Sequence, residues 1–371
     1  MNAEMGLASE ISIVERLRTQ LVGIFSVARV DVTQPPDQAI RFHGYLQQEP
    51  EWAFDELVRR FEPLNYTPSL ARDEANGGED VVIAMRGVVR PRPARATINL
   101  ILFIVTVFTT LYAGSLYEDG DLLSGVPFAF TLLAILGTHE FGHYFMARRH
   151  GAAVTLPYFI PFPALPGMLS LGTMGAVIQL RSPIRDRKQL FDIGVAGPLA
   201  GLAVAIPLLI YGLSQSPVRF QPTGEIYMQE GNSLLYLVLK YLVHGKVLPG
   251  NGQDVFINSM TYAAWIGLFV TCLNLLPMGQ LDGGHVAYAL FGRRAWWLAR
   301  VAVGVLVILG VLGWQGWFLW VFLPLLFGLR HPPPLNDHTP LDARRKALGV
   351  GMILIFILVF TPVPFKFVFP A

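Results

Sequence analysis

From Thr97 to Gly114 the chain reads TINLILFIVTVFTTLYAG and carries no charged side chain. At ~1.5 Å of rise per residue, such a run approaches the ~30 Å hydrocarbon core of a bilayer. Backbone polar groups in lipid must be satisfied internally, so the run is read as a membrane-spanning helix. Composition agrees, because a chain of 371 residues with 53% apolar and 15% charged side chains has too little charge for an ordinary soluble domain. Further apolar runs predict spans over 126–147, 189–213, 256–278, 297–313, 317–329 and 349–368, giving about six to seven transmembrane helices. The fifth and sixth are separated only by Gln315 and neighbouring glycines, and are read either as two helices or as a tight or re-entrant hairpin.

Net charge and cysteine content exclude several classes. A formal charge of +2 is too small to point to nucleic acid, and a single cysteine, Cys272, excludes an intramolecular disulfide framework. No basic region followed by an apolar core opens the chain, so insertion is expected to use the internal spans. The cations are unevenly placed. Arg90, Arg92 and Arg95, Arg148 and Arg149, Arg181 to Lys188, Arg293 to Arg300, and Arg344 to Lys346 all fall on one side of the predicted spans. The other side has Glu118, Asp119 and Asp121, with only Arg219, Lys240 and Lys246 in the 214–255 loop. By the positive-inside rule the N-terminal region is cytoplasmic and that loop extracytoplasmic.

Residues 1–95 read as a small α/β extramembrane domain and linker. PEWAFDELVRRF sets Trp52, Phe54, Leu57, Val58 and Phe61 at helical spacing, VVIAM and IRFHGYL have strand character, and Gly77-Gly78 marks a turn. RPRPAR, residues 90–95, suits a stiff linker at a membrane surface. Residues 96–371 form the transmembrane domain. Within it, 152–181 is apolar but broken by prolines and glycines, and is expected to form a membrane-associated loop and a short β-hairpin. The stretch 256–285 holds a further span ending in Asp282-Gly283-Gly284, and 297–368 holds the C-terminal helices.

The second predicted span ends in HEFGH. His139 and His143 lie at i and i+4 on one helical face, the spacing with which two imidazoles bind one Zn2+, and Glu140 stands beside them. An ionisable group inside an apolar span costs at least about 2.5 kcal/mol unless partnered or hydrated, so the cluster calls for a function. The bland alternative is a pair of histidines bonded to neighbouring helices. A catalytic zinc needs a third protein ligand and an open position. Asp282, in NLLPMGQLDGGH at the end of the 256–278 span, is the candidate, with Pro277 breaking that helix and Gly283 and Gly284 relaxing the backbone. Locally it reads equally well as a turn aspartate before two glycines. Gly197 and Gly201 form a small-xxx-small pattern that lets the third span approach a neighbour, most plausibly the second or fourth. His285 is a candidate to support a ligand or simply to pack, and Cys272 reads as a small apolar packer.

At this point the chain resembles the site-2 protease family of intramembrane zinc metalloproteases, peptidase family M50. Its two signatures, HExxH and NxxPxxxxDG, stand intact here as HEFGH and NLLPMGQLDG. The intervening LGTMGAVIQLRSPIRDRKQLFDIGVAGPLAG resembles the branch of bacteria, cyanobacteria and plastids. The resemblance covers about residues 97–346. It implies that His139, His143 and Asp282 bind one Zn2+ per chain, that Glu140 is the general base, and that Asn274 holds substrate or stabilises the oxyanion. The implied activity is hydrolysis, by metal-activated water, of peptide bonds within or near transmembrane segments of other membrane proteins. A transmembrane helix must unwind to be cut, and an edge strand over Gly172, Thr173, Met174, Gly175 and Ala176 is expected to receive it by backbone pairing. Expected partners are such substrates and the lipid bilayer, with no nucleic acid, and the expected site is a bacterial cell membrane. A zinc transporter using the same ligands, and an inactive scaffold keeping the fold, stand as alternatives; ionisable groups gathered at one depth favour catalysis over transport.

Overall fold

The computed structural model describes residues 13–32, 39–73, 78–89, 95–118, 120–163, 170–222, 224 and 226–368. The expected linker at 90–94, part of the Gly77-Gly78 turn and the proline-rich stretch 164–169 lie outside these residues. The chain divides into two compact units. The first comprises Met1–Arg92, Ser182–Leu190 and Pro332–Asp342; the second comprises Pro93–Arg181, Phe191–His331 and Ala343–Ala371.

The first unit contains α1 (13–20), β1 (Phe25–Val32), β2 (Ala39–Leu46), α2 (Pro50–Phe61), β3 (Tyr66–Asp73) and β4 (Glu79–Arg86). Helix α2 begins where Glu49 caps the amides of Glu51 and Trp52 and Pro50 supplies a pre-set φ. Its predicted apolar face is largely right. Phe54, Leu57 and Phe61 are buried with Leu17, Leu21, Phe42, Leu70 and Val82, whereas Trp52 is half exposed. The two expected strands are β2 and β4; β1 and β3 complete an antiparallel sheet of order β1-β2-β4-β3. The edge of β3 does not stay open. Leu70 donates to Leu335 O at 2.6 Å and accepts from Asp337 N at 3.0 Å, and Leu335 and Asn336 in turn donate to Ile184 O and Arg185 O. Three of the four cations of RSPIRDRK are ion-paired inside this unit: Arg185 with Asp55, Lys188 with Glu51 at 2.6 Å and Arg187 with Asp337 at 2.8 Å.

The second unit is mostly helical. In chain order it holds α3 (Ala96–Ser115), α4 (Val126–Arg149), β5 (Tyr158–Pro161), β6 (Thr173–Val177), α5 (Arg187–Ser214, its first turn in the first unit), β7 (Val218–Phe220), β8 (Tyr227–Glu230), α6 (Leu234–His244), β9 (Gln253–Val255), α7 (Ser259–Asn274), α8 (Asp282–Phe291), α9 (Ala295–Leu312), α10 (Trp317–Phe327), α11 (Ala343–Val359) and β10 (Phe365–Val368). Four helical stretches among the described residues are long and apolar enough to cross a membrane: Ala96–Ser115, Leu122–Arg149, Arg187–Ser214 and Asp282–Leu312.

Several boundaries differ from expectation. The 256–278 span is α7, whose 16 residues reach only ~24 Å. Pro277 ends helical continuity there, and Asp282 opens the next helix instead of closing this one. The helix expected over 349–368 runs from Ala343 to Val359, and its tail is β10, paired antiparallel with β8. The 214–255 loop has structure of its own. It folds around Lys240 of α6, fully buried, which bonds Glu230 at 3.2 Å and Asp254 at 3.0 Å, while Tyr236 donates to Glu230. The expected hairpin is present as β5 and β6, antiparallel, with Tyr158 opposite Val177 and Phe159 opposite Ala176.

Candidate metal centre

Helix α4 carries His139 and His143 one turn apart, and both imidazoles are buried. Their Nε2 atoms stand 3.1 Å apart. Asp282 arrives from the first turn of α8 and places Oδ2 3.2 Å from His139 Nε2 and Oδ1 3.3 Å from His143 Nε2. A tetrahedral ion with bonds of ~2.0–2.1 Å sets its ligand atoms roughly 3.3 Å apart, and the closest approaches among these three side chains are of that size. Protonation agrees with this fit. His143 Nδ1 lies 2.7 Å from Ile193 O, which can only accept, so Nδ1 carries the proton and Nε2 turns a lone pair toward His139 and Asp282. Among the described residues, these three form the one group of three or more His, Cys, Asp or Glu side chains arranged to hold a metal.

The way α5 meets α4 depends on residues without side chains. A Cβ on Gly197 would fall 2.1 Å from His143 Nε2, one on Gly201 3.2 Å from His139 Cβ and Nδ1, and one on Gly142 2.6 Å from Ala196 O. The small-xxx-small pattern therefore brings α5 against α4 at His139 and His143, resolving which neighbour it serves. Gly283 plays a similar part. Its φ is not left-handed, so backbone freedom is not its role, but a Cβ there would lie 2.0 Å from Leu275 O, and only glycine lets the start of α8 fold back on the end of α7.

The remaining predicted residues gather around this cluster in different degrees. Glu140 is buried beside His139, in electrostatic reach of His143 and Asp282, and the backbone of Ile178, just after β6, lies close to its carboxylate. Asn274, the last residue of α7, brings its Nδ2 to 3.4 Å from His139 Nε2. In the hairpin, Gly172 O accepts from Thr109 Oγ1 at 2.6 Å and Thr173 Oγ1 donates to Ile160 O at 2.9 Å, so these two anchor β6. Gly175 has φ +107 and Met174 is 71% exposed. His285 is not at the metal position: its Nδ1 lies 2.6 Å from His331 Nε2, and the two rings meet edge to face. Cys272 is buried and free, as an apolar packer is. A cavity of ~990 Å3 between α3, α4 and β5 includes Thr138 and Phe141 but lies on the side of α4 turned away from His139 and His143. Sequence reasoning missed the Ile193 carbonyl, since a backbone acceptor leaves no signal in residue type.

Residues 127–311 match the family described as Peptidase family M50, a range that contains all three donors, Glu140 and Asn274. The chain belongs to peptidase family M50. As a site-2 protease-type member it is a zinc metalloprotease and an integral membrane protein. It is similar to the probable zinc metalloprotease EGY2, chloroplastic, of Oryza sativa subsp. indica, 28% identical over 95% of this chain and 67% of that protein. It is likewise similar to EGY1, chloroplastic, of Oryza sativa subsp. japonica, 29% identical over 88% of this chain and 63% of that protein, and to EGY2, chloroplastic, of Arabidopsis thaliana, 26% identical over 95% and 65%. The M50 chain thus spans about two thirds of the length of these relatives. Their names place them in chloroplasts, so the expectation of a bacterial cell membrane finds no support in them. No solved structure matches the chain.

Proposed function

We propose that this M50 protease is an intramembrane endopeptidase that cuts transmembrane segments of other membrane proteins near the depth of His139, His143 and Asp282. The observation that carries the reading is the convergence of those three donors, at mutual distances of 3.1–3.3 Å, on helices that are apolar enough to cross a bilayer. When bound there, zinc supplies Lewis-acid activation of water and of the scissile carbonyl. Glu140, buried one residue from His139, takes the proton from that water and returns it to the leaving amine. Asn274 donates its amide to the developing oxyanion or holds the unwound substrate in place.

Substrate backbone pairs along Gly172 and the β6 residues Thr173 to Ala176, whose neighbour Ile178 lies close to Glu140, so an added strand would lie next to the base. The four long helices together with α7, α10 and α11 make seven membrane elements. The first unit faces the cytoplasm or its equivalent compartment, by the distribution of Arg and Lys. The test uses the full chain and a membrane-spanning substrate in the same bilayer. Glu140→Gln should slow cleavage by about 10²–10⁴-fold, in keeping with the loss of a general base, and a chelator should abolish it. Equal cleavage by wild-type, Glu140→Gln and chelated protein would remove the assignment.

A further inference from the structure

Three charged or titratable side chains meet at the other end of the contact that supports His143. Asp192, in the second turn of α5, receives a bidentate pair from Arg345 at the start of α11, Nε to Oδ1 at 2.8 Å and a terminal nitrogen to Oδ2 at 2.6 Å. Its Oδ2 also lies 2.9 Å from Nε2 of His150, which caps the C-terminus of α4. Thus one carboxylate ties three helices. All three side chains are largely buried, with exposures of 16% for Asp192, 29% for Arg345 and 26% for His150.

Sequence position gives this cluster its significance. Asp192 immediately precedes Ile193, whose carbonyl accepts the Nδ1–H of His143, and His150 follows His143 by two turns on α4. Ile193 and Gly197 are one turn apart on α5 and form the floor under the His143 ring: one accepts its proton, and the other leaves room for it. A carbonyl within a helix cannot swing to follow a ligand, so its aim at Nδ1 depends on how α5 is held along and around its axis relative to α4. Small-residue packing brings the helices close but resists sliding poorly, whereas a forked charge-assisted contact has a fixed geometry.

We propose that Asp192 is a positioning residue for the metal ligand His143, held by Arg345 and His150 so that α5 presents the Ile193 carbonyl to Nδ1 and leaves Nε2 aimed at the metal. It touches neither metal nor substrate. The inference rests on the zinc reading of the His139, His143 and Asp282 cluster.

The experiment measures zinc dissociation constants by chelator competition on the full-length protein in lipid nanodiscs, alongside the visible ligand-field spectrum of the Co2+-loaded form. His143→Ala tests the underlying reading: zinc affinity equal to wild type there would overturn the metal centre itself. With that loss established, Asp192→Asn is expected to weaken zinc about 10-fold or more, the lower range for a residue that orients a ligand, and to alter the Co2+ spectrum. Asp192→Glu should recover part of both. Wild-type affinity together with a wild-type Co2+ spectrum in Asp192→Asn would overturn the proposal. If Asp192→Asn does not fold, Arg345→Gln serves in its place. There a several-fold weaker zinc affinity with an altered spectrum is expected, and wild-type values of both would overturn the proposal.

Discussion

At His143 the ring is specified on three sides. Ile193 O takes the Nδ1 proton, Asp282 Oδ1 stands 3.3 Å from Nε2, and Gly197 leaves the space in which α5 meets this ring. A methyl group at Gly197 has nowhere to go, because its nearest neighbour would be His143 Nε2 at 2.1 Å. Gly197→Ala is therefore expected to lower zinc affinity more than 10-fold and to destabilise the membrane unit by about 1–3 kcal/mol as α4 and α5 separate. Gly201→Ala, whose methyl would meet His139 at 3.2 Å, should show a clearly smaller loss. Chelator competition on the two variants checks the order, and equal losses would mean that the contact at 2.1 Å is not what matters. At this scale the histidine pair was legible because its i, i+4 spacing is a local property of one helix. Asp282 was legible only as a candidate, since an aspartate before two glycines is also an ordinary turn residue.

Among the elements, β6 has a role out of proportion to its five residues. Thr109 fastens Gly172 just before it and Ile160 its first residue, Thr173; β5 pairs along one side, and Ile178 just past its far end lies close to the carboxylate of Glu140. Met174, 71% exposed, makes little packing for a substitution to disturb. Met174→Pro withdraws a backbone N–H from the strand, and cleavage of a membrane-spanning substrate is expected to fall at least about 10-fold while zinc content stays at the wild-type level. Unchanged cleavage would count against strand addition. Apolar runs and proline breaks predicted α3, α4, α5 and the hairpin region well. The fate of Asp282 was misjudged because apolarity continues across Pro277, and hydropathy alone does not reveal that the chain turns back between α7 and α8.

On the scale of the whole molecule, the first unit is assembled from three separated stretches of chain. Asn336 binds the last of them into place: its Nδ2 donates to Pro50 O at 3.1 Å and to Thr339 Oγ1 at 2.7 Å, its Oδ1 accepts from the amides of His338 and Thr339, and it is 1% exposed. Asn336→Ala strands those groups and should destabilise the unit by about 2–4 kcal/mol. Faster amide exchange at Leu70, Leu335 and Asp337 is the expected reading, and wild-type protection there would show that the strand-like pairing of 335–337 with β3 does not depend on this side chain. The sequence alone determined that the chain is a membrane protein, that α2 is amphipathic and that two histidines share a helical face. Each follows from residue type repeated at the spacing of one local element. Only the tertiary structure decided that Asp282 meets histidines more than a hundred residues earlier in the chain, that a backbone carbonyl on α5 orients one of them, and that residues 182–190 and 332–342 complete the first unit. Such contacts arise where surfaces from distant stretches pack together, and no periodicity within either stretch records which surface it will find.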